Sequence, residues 1–208
     1  METGMTGADL GGSTAGETHA DRLARMDAHI RIIPDFPQPG IAFRDITPLI
    51  ADPLCFADAV AMLAEVARPL RPDVIVAVEA RGFLFGGPLA LALGIGLVPV
   101  RKAGKLPGAV HGVDYGLEYG RDRMEIHIDA LPNTGVADAV PGKAGAPARV
   151  LLLDDLLATG GTVAAAAELI GHVGGQIVGA LFLIELAGLG GRERLAGQGI
   201  STQALLTY

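Results

Sequence analysis

Apolar positions along the chain change period several times, and each change marks an element. Asp52-Pro53 opens the first clear helix, with Asp52 suited to cap it and Pro53 to its first turn. Phe56, Val60, Leu63 and Ala67 follow at helical spacing, and Pro69 and Pro72 stop it. The run VIVAVEA, Val74 to Ala80, is rich in Val and Ile and predicts a buried strand. A helix from Phe85 to Leu93, a stop at Gly94 and a strand from Leu97 to Val100 complete a strand, helix, strand unit of the parallel-sheet kind. A second unit starts with VLLLDDLL at Val150 and passes through ATGGT at Ala158 to a helix carrying Val163, Ala167, Ile170 and Val173. Gly174-Gly175 closes that helix, and Gln176 to Glu185 contains a further strand. The order predicts an α/β fold with a parallel sheet and flanking helices, occupying residues 22–208 as one domain.

Between the two units the pattern weakens. Gly104, Gly108, Gly112, Gly116 and Gly120 fall every fourth residue from Lys102 to Arg123, which dissolves a helix and predicts a long polar loop acting as a flexible lid. Met124, Ile126 and Ile128 then alternate with polar residues as in a half-buried strand. Pro132 to Ala148, dominated by Gly, Pro and Ala, reads as an exposed connection. Phe83 to Val100 is 18 residues without a charge, but its glycines and prolines suit a helix start, a helix stop and a strand better than a membrane span.

Half of the 208 residues are hydrophobic and 19% are charged, which excludes global disorder. The single Cys55 excludes an internal disulfide and a Cys-based zinc site, and His29, His111, His127 and His172 are too scattered to suggest a metal cluster. A formal net charge of -7 argues against nucleic-acid or anionic-membrane partners, so any anion must be gripped locally. Glu2, Asp9, Glu17 and Asp21 lie in the first 21 residues, which carry no Lys or Arg and little to pack. Residues 1–21 are therefore expected to be a disordered tail. They lack the basic start and apolar stretch of a secretory signal, so a cytoplasmic location is expected.

Chemistry concentrates in the second unit. Asp154 and Asp155 end an apolar strand, and Ala158, Thr159, Gly160, Gly161 and Thr162 lead into a helix. In open α/β sheets ligands bind beyond the carboxyl ends of the strands, where a helix start offers unpaired N–H groups and the positive end of its dipole. A phosphate fits there, while carboxylates upstream suit sugar hydroxyls; together they point to a ribose 5-phosphate.

VLLLDDLLATGGT resembles the phosphoribosyl pyrophosphate motif of the type I phosphoribosyltransferases. PDFPQPGIAFRDITP from Pro34, EARGFLFG from Glu79, VRKAGKLPG from Val100 and YGLEYG from Tyr115 resemble the members of that family that act on adenine. The likeness runs from about Arg22 to Tyr208. It implies the type I fold with a small N-terminal hood segment and a lid, and a reaction joining adenine to the ribosyl group of phosphoribosyl pyrophosphate, giving AMP and pyrophosphate. The resemblance assigns pyrophosphate to Arg81, Arg101, Lys102 and Lys105, and the phosphoribosyl group to Asp154, Asp155 and residues 158–162. Mg²⁺ would be held mainly by substrate oxygens. Glu118, flanked by Tyr115 and Tyr119 in the lid, resembles a carboxylate brought near N7 of the purine, with Arg81 and Lys105 also catalytic. Adenine would meet Ala42, Phe43, Arg44 and Leu186. Members of the family are commonly dimers, and in them the bond corresponding to Glu79-Ala80 can be cis. A transferase for another purine base and a nucleotide-sensing regulator of the same fold are the alternatives.

Overall fold

The computed structural model describes residues 16–117, 120–131 and 146–208. Its first helix, α1 (His19–Ala28), begins inside the segment expected to be a tail. Thr18 accepts a hydrogen bond from the Asp21 N–H while the Asp21 carboxylate accepts from the Thr18 N–H. The ordered chain therefore starts before Arg22, and residues 1–15 of the expected tail lie outside the described residues. A two-stranded antiparallel hairpin follows, β1 (Arg31–Ile33) with β2 (Phe43–Asp45), and forms the hood. In the loop joining them, the Phe36-Pro37 peptide is cis and Phe36 meets Phe43 edge to face at 5.2 Å. Asp45 is held down to about 2 by hydrogen bonds from Thr47, and less strongly by Arg31, against the opposing effect of burial.

Two helices lead into the sheet, α2 (Thr47–Ala51) and α3 (Pro53–Ala67). Asp52 caps α3 as expected, its carboxylate accepting the Cys55 N–H at 2.8 Å. The Cys55 thiol is fully buried, and burial, reinforced by Asp52, pushes it up to about 11. His29 Nδ1 lies 3.3 Å from its sulfur and 2.8 Å from the Arg25 carbonyl. His29, Asp52 and Cys55 thus bring their polar ends within 4.8 Å of one another, a grouping that sequence spacing did not reveal. Helix α1 is fastened to α3 through Asp58, which is buried and takes the guanidinium groups of both Arg22 and Arg25.

The main sheet has seven strands. Parallel β3 (Val74–Val78) and β4 (Gly96–Lys102) are joined by α4 (Gly82–Leu93), so the strand predicted to reach Ala80 ends two residues earlier. Helix α4 starts before Phe85 and carries Pro88 inside it. Next come β5 (Val110–Leu117) and β6 (Gly120–His127), antiparallel to each other, with β6 antiparallel to β4. The segment read as an irregular lid is therefore largely a β-hairpin. Its glycines forbid a helix but not a strand, and at Gly112 a Cβ would lie 2.2 Å from the Arg123 side chain. Then β7 (Arg149–Leu157), α5 (Gly161–His172), β8 (Gln176–Glu185), α6 (Gly191–Gly197) and β9 (Thr202–Thr207) complete the order β5-β6-β4-β3-β7-β8-β9. Of the connection at 132–148, residues 132–145 lie outside the described residues.

Alternate residues of the central strands feed opposite cores. Val74, Val76, Val78, Val150 and Leu152 face a cluster with α5, whereas Ile75, Ala77, Leu151 and Leu153 face one with α3 and α4. The chain leaves β3 toward β4 on one side and leaves β7 toward β8 on the other. Their carboxyl ends diverge there, which opens a crevice. No helix among the described residues is long and apolar enough to cross a membrane.

Removing one partner of a buried ionic cluster strands the rest. Asp58→Ala is expected to lose roughly 3 kcal/mol of stability in urea denaturation, since Arg22 and Arg25 lose the buried carboxylate they share and keep only Glu65 and Glu17 as partners.

Candidate active site

The crevice is furnished by β3 and β7. Strand β7 pairs with β3 only as far as Leu153 and then continues beside β8 to Leu157, so Asp154 and Asp155 lie within the strand rather than at its end. They stand where β3 has already turned away. The Asp155 N–H donates to Asp154 Oδ1 at 2.9 Å, and Arg81 Nε donates to the Asp155 carboxylate. Burial first, and the Asp155 charge second, push the Asp154 carboxyl well above its ordinary range.

Immediately after β7, Ala158 to Gly160 form a turn in which Gly160 has φ 74° and precedes α5. The first amides of α5 have no carbonyl one turn earlier to bond. With Thr159 and Thr162 they line a cup of about 90 Å³, the size of one small anion. All seven phosphoribosyl residues named from the sequence line this cup or its neighbour, a cavity of about 320 Å³ that shares Asp154, Leu156 and Thr162 with it.

That second cavity contains Arg81 and Lys102. Arg81 stands just past the turn after β3, where the Glu79-Ala80 peptide is cis. Glu79 accepts from Arg101 at 3.1 and 3.2 Å and from the Lys102 N–H at 2.9 Å. Burial works against its charge, but these bonds prevail and hold the carboxyl below its ordinary value. Lys102 Nζ lies 3.0 Å from Asp122, which raises the lysine and lowers the acid. Tyr115, expected on an irregular loop, stands on β5 and donates to Asp122 at 3.2 Å. Lys105 is exposed in the turn after β4, and its carbonyl accepts from Arg101 at 3.0 Å. Glu118 and Tyr119 lie outside the described residues.

The expected base contacts are divided. Phe43 carries the Arg81 guanidinium over its ring at 5.5 Å. The Arg44 guanidinium turns instead onto the Tyr208 ring at 4.0 Å, which leaves only the Arg44 backbone for the site. Ala42 is exposed beside Phe43, and Leu186 packs against the α3 side of the core while its N–H bonds Leu157. A cavity of about 550 Å³ on the outer side of the loop that opens α5 is lined in part by Ile41, Leu189 and Arg194, none of which sequence reasoning selected. The sequence around Arg194, Gly191 to Arg194, offers only a short charged string with nothing to aim it.

A crevice between diverging parallel strands, with an anion cup on one flank and paired acids below, defines a phosphoribosyltransferase of type I. The model of the phosphoribosyl transferase domain matches residues 50–195. A curated adenine phosphoribosyltransferase from Sphingopyxis alaskensis is 54% identical over 179 residues, 86% of this chain and 90% of that protein. The crystal structure of adenine phosphoribosyltransferase from Thermoanaerobacter pseudethanolicus superposes with a TM-score of 0.80 at 45% identity, covering 89% of this chain and 99% of that one. The Saccharomyces cerevisiae enzyme, solved with adenine and an imino-altritol bisphosphate, gives 0.78 at 38% identity, covering 90% and 99%. The chain belongs to the adenine phosphoribosyltransferase family.

The opposite pKa directions of two site acids set the signs of a stability test. Asp154 is pushed up, so its ionisation costs stability above the ordinary carboxylate range and costs nothing once both states are protonated. Glu79 is pulled down, so its charge stabilises above that range and this is lost as pH falls through its folded value. In thermal melts at about pH 7, Asp154→Asn is expected to raise Tm and Glu79→Gln to lower it, with both differences shrinking towards about pH 3.

Proposed function

We propose that the chain transfers the 5-phosphoribosyl group of phosphoribosyl pyrophosphate to N9 of adenine, forming AMP and releasing pyrophosphate. The observation that carries this reading is one continuous crevice in which the small cup at the start of α5 and the cavity containing Arg81 and Lys102 share Asp154, with Asp155 beside it. The members of the family named above are adenine phosphoribosyltransferases, and one was solved with adenine.

Each part has a task. The amides and hydroxyls of residues 158–162 hold the 5-phosphate, and Asp154 and Asp155 accept hydrogen bonds from the ribose hydroxyls. Loss of the C1–O bond places positive charge on the ribose and negative charge on pyrophosphate. Arg81 and Lys102, now bonded to Asp155 and Asp122, exchange those carboxylates for pyrophosphate oxygens, with Arg101 and Lys105 at the outer edge. Glu118, between β5 and β6 in the chain, accepts the ring proton from N7 of adenine as N9 forms the bond to C1, and the hairpin keeps water from the ribosyl cation. Phe43 supplies a ring face for adenine, with Leu186 on the side of the core and the backbone at Ala42 and Arg44 reading the purine edge.

Glu79, Asp122 and Asp155 are each engaged by a cation, so the crevice offers hard oxygen donors without a closed cage. This donor set fits Mg²⁺ arriving with pyrophosphate and ribose oxygens and keeping most of them as ligands. When bound, the ion would neutralise charge developing on the leaving group.

A homodimer in the cytoplasm completes the reading. Helix α4 exposes Leu84 and Leu91, seven residues apart and so on one face, with Leu91 85% exposed. Leu91→Glu is expected to shift the sedimentation coefficient from that of a dimer to that of a monomer.

Incubating the protein with Mg²⁺, phosphoribosyl pyrophosphate and each purine base in turn should yield AMP from adenine and no nucleotide from guanine or hypoxanthine. Turnover with guanine and none with adenine would overturn the base assignment. Glu118→Ala should lower turnover about 100-fold or more while AMP binding persists.

A further inference from the structure

Helix α6 lies against the phosphate loop at backbone contact distance. A Cβ on Gly191 would fall 2.2 Å from the Ala158 carbonyl oxygen, and one on Gly160 would fall 3.1 Å from the Gly191 carbonyl. Only glycine at both positions lets the two segments come this close. Gly191 is the first residue of α6 and Arg194 stands three residues on, so both project from the face turned to the loop. The Arg194 Nη1 atom lies 3.2 Å from the place a Cβ on Gly161 would occupy, beside the opening turn of α5.

The two arginines of α6 are used differently. Arg192 is bound to the frame: its Nε donates to Glu185 at 2.8 Å, its Nη1 to the Thr202 carbonyl at 2.7 Å, and its Nη2 to Glu185 again. Those bonds tie α6 to the ends of β8 and β9 and fix its height over the loop. Arg194 has no ion pair with any described residue, although Asp114 and Glu168 line the adjoining cavity. It lines the 550 Å³ cavity together with Ala158, Thr159, Gly161 and Thr162. A guanidinium there, with no carboxylate among the described residues paired to it, has an anion as its natural complement.

We propose that Arg194 binds the 5-phosphate of substrate and product from outside the cup, and that it sets the preference for phosphorylated over unphosphorylated ribosides. The proposal rests on the transferase reading above. The amides of α5 supply partial charges only, so a full positive charge on the exposed side of the phosphate adds affinity that a nucleoside cannot share. Its effect falls on binding rather than on bond cleavage, because the 5-phosphate does not change charge during the reaction.

Calorimetric titration of the full chain with AMP and with adenosine tests this. Arg194→Ala should weaken AMP about tenfold, leave adenosine unchanged, and raise KM for phosphoribosyl pyrophosphate with kcat held within about twofold. Arg194→Lys, which keeps a charge without the guanidinium fork, should recover part of the AMP affinity. Unchanged AMP affinity in Arg194→Ala would overturn the proposal, as would an equal loss for AMP and adenosine, which marks a merely structural role. Failure of the unaltered protein to bind AMP at all would sink the transferase reading and this proposal with it.

Discussion

The structure depends on placing concentrated negative charge against a helix start that is otherwise uncompensated. The opening amides of α5 have no internal partners, and β7 delivers two acids only a few residues before them. Asp155 is stabilised by Arg81, which comes from the far side of the crevice, while Asp154 is pushed towards its neutral form by burial and by its neighbour. Among the described strands, the crevice between β3 and β7 is where diverging connections leave room for this arrangement.

The cations around the crevice are held ready by carboxylates. Arg101 lies on Glu79, Lys102 on Asp122 and Arg81 on Asp155, so each is oriented by an acid. Such pairs are partly exposed and contribute little to stability on their own. Their value lies in geometry: each donor is held in a fixed direction by its carboxylate. The same economy appears in α6, where one arginine secures the helix to the sheet and the other is left beside the loop that opens α5.

Most of the central architecture could be read from the chain because the strands of a doubly covered sheet are nearly continuous apolar runs. Val74–Val78 and Val150–Leu153 have no solvent side, and their bounding helices carry clear caps at Asp52 and Gly94. Segments whose signal is short or shared were misread or passed over. The capping box at Thr18 and Asp21 fell within an acidic stretch, and glycines every fourth residue looked irregular because helix and strand exclude them for different reasons. The hood strands, three residues each, are too short for any period to emerge.

By itself the sequence determined the fold class, the small-residue loop that opens α5 and the positions of the cations just past β3 and at the end of β4, because each is contained in one contiguous segment whose residue types act through the local backbone. Only the tertiary structure decided which groups meet across the crevice. Arg81 and Asp155 are separated by 74 residues, and Arg194 reaches Gly161 only because two glycines let separate turns touch. His29 and Cys55 are likewise brought together by the docking of α1 on α3. Local pattern records how a segment folds; the distance between two segments is set by packing, which no single segment encodes.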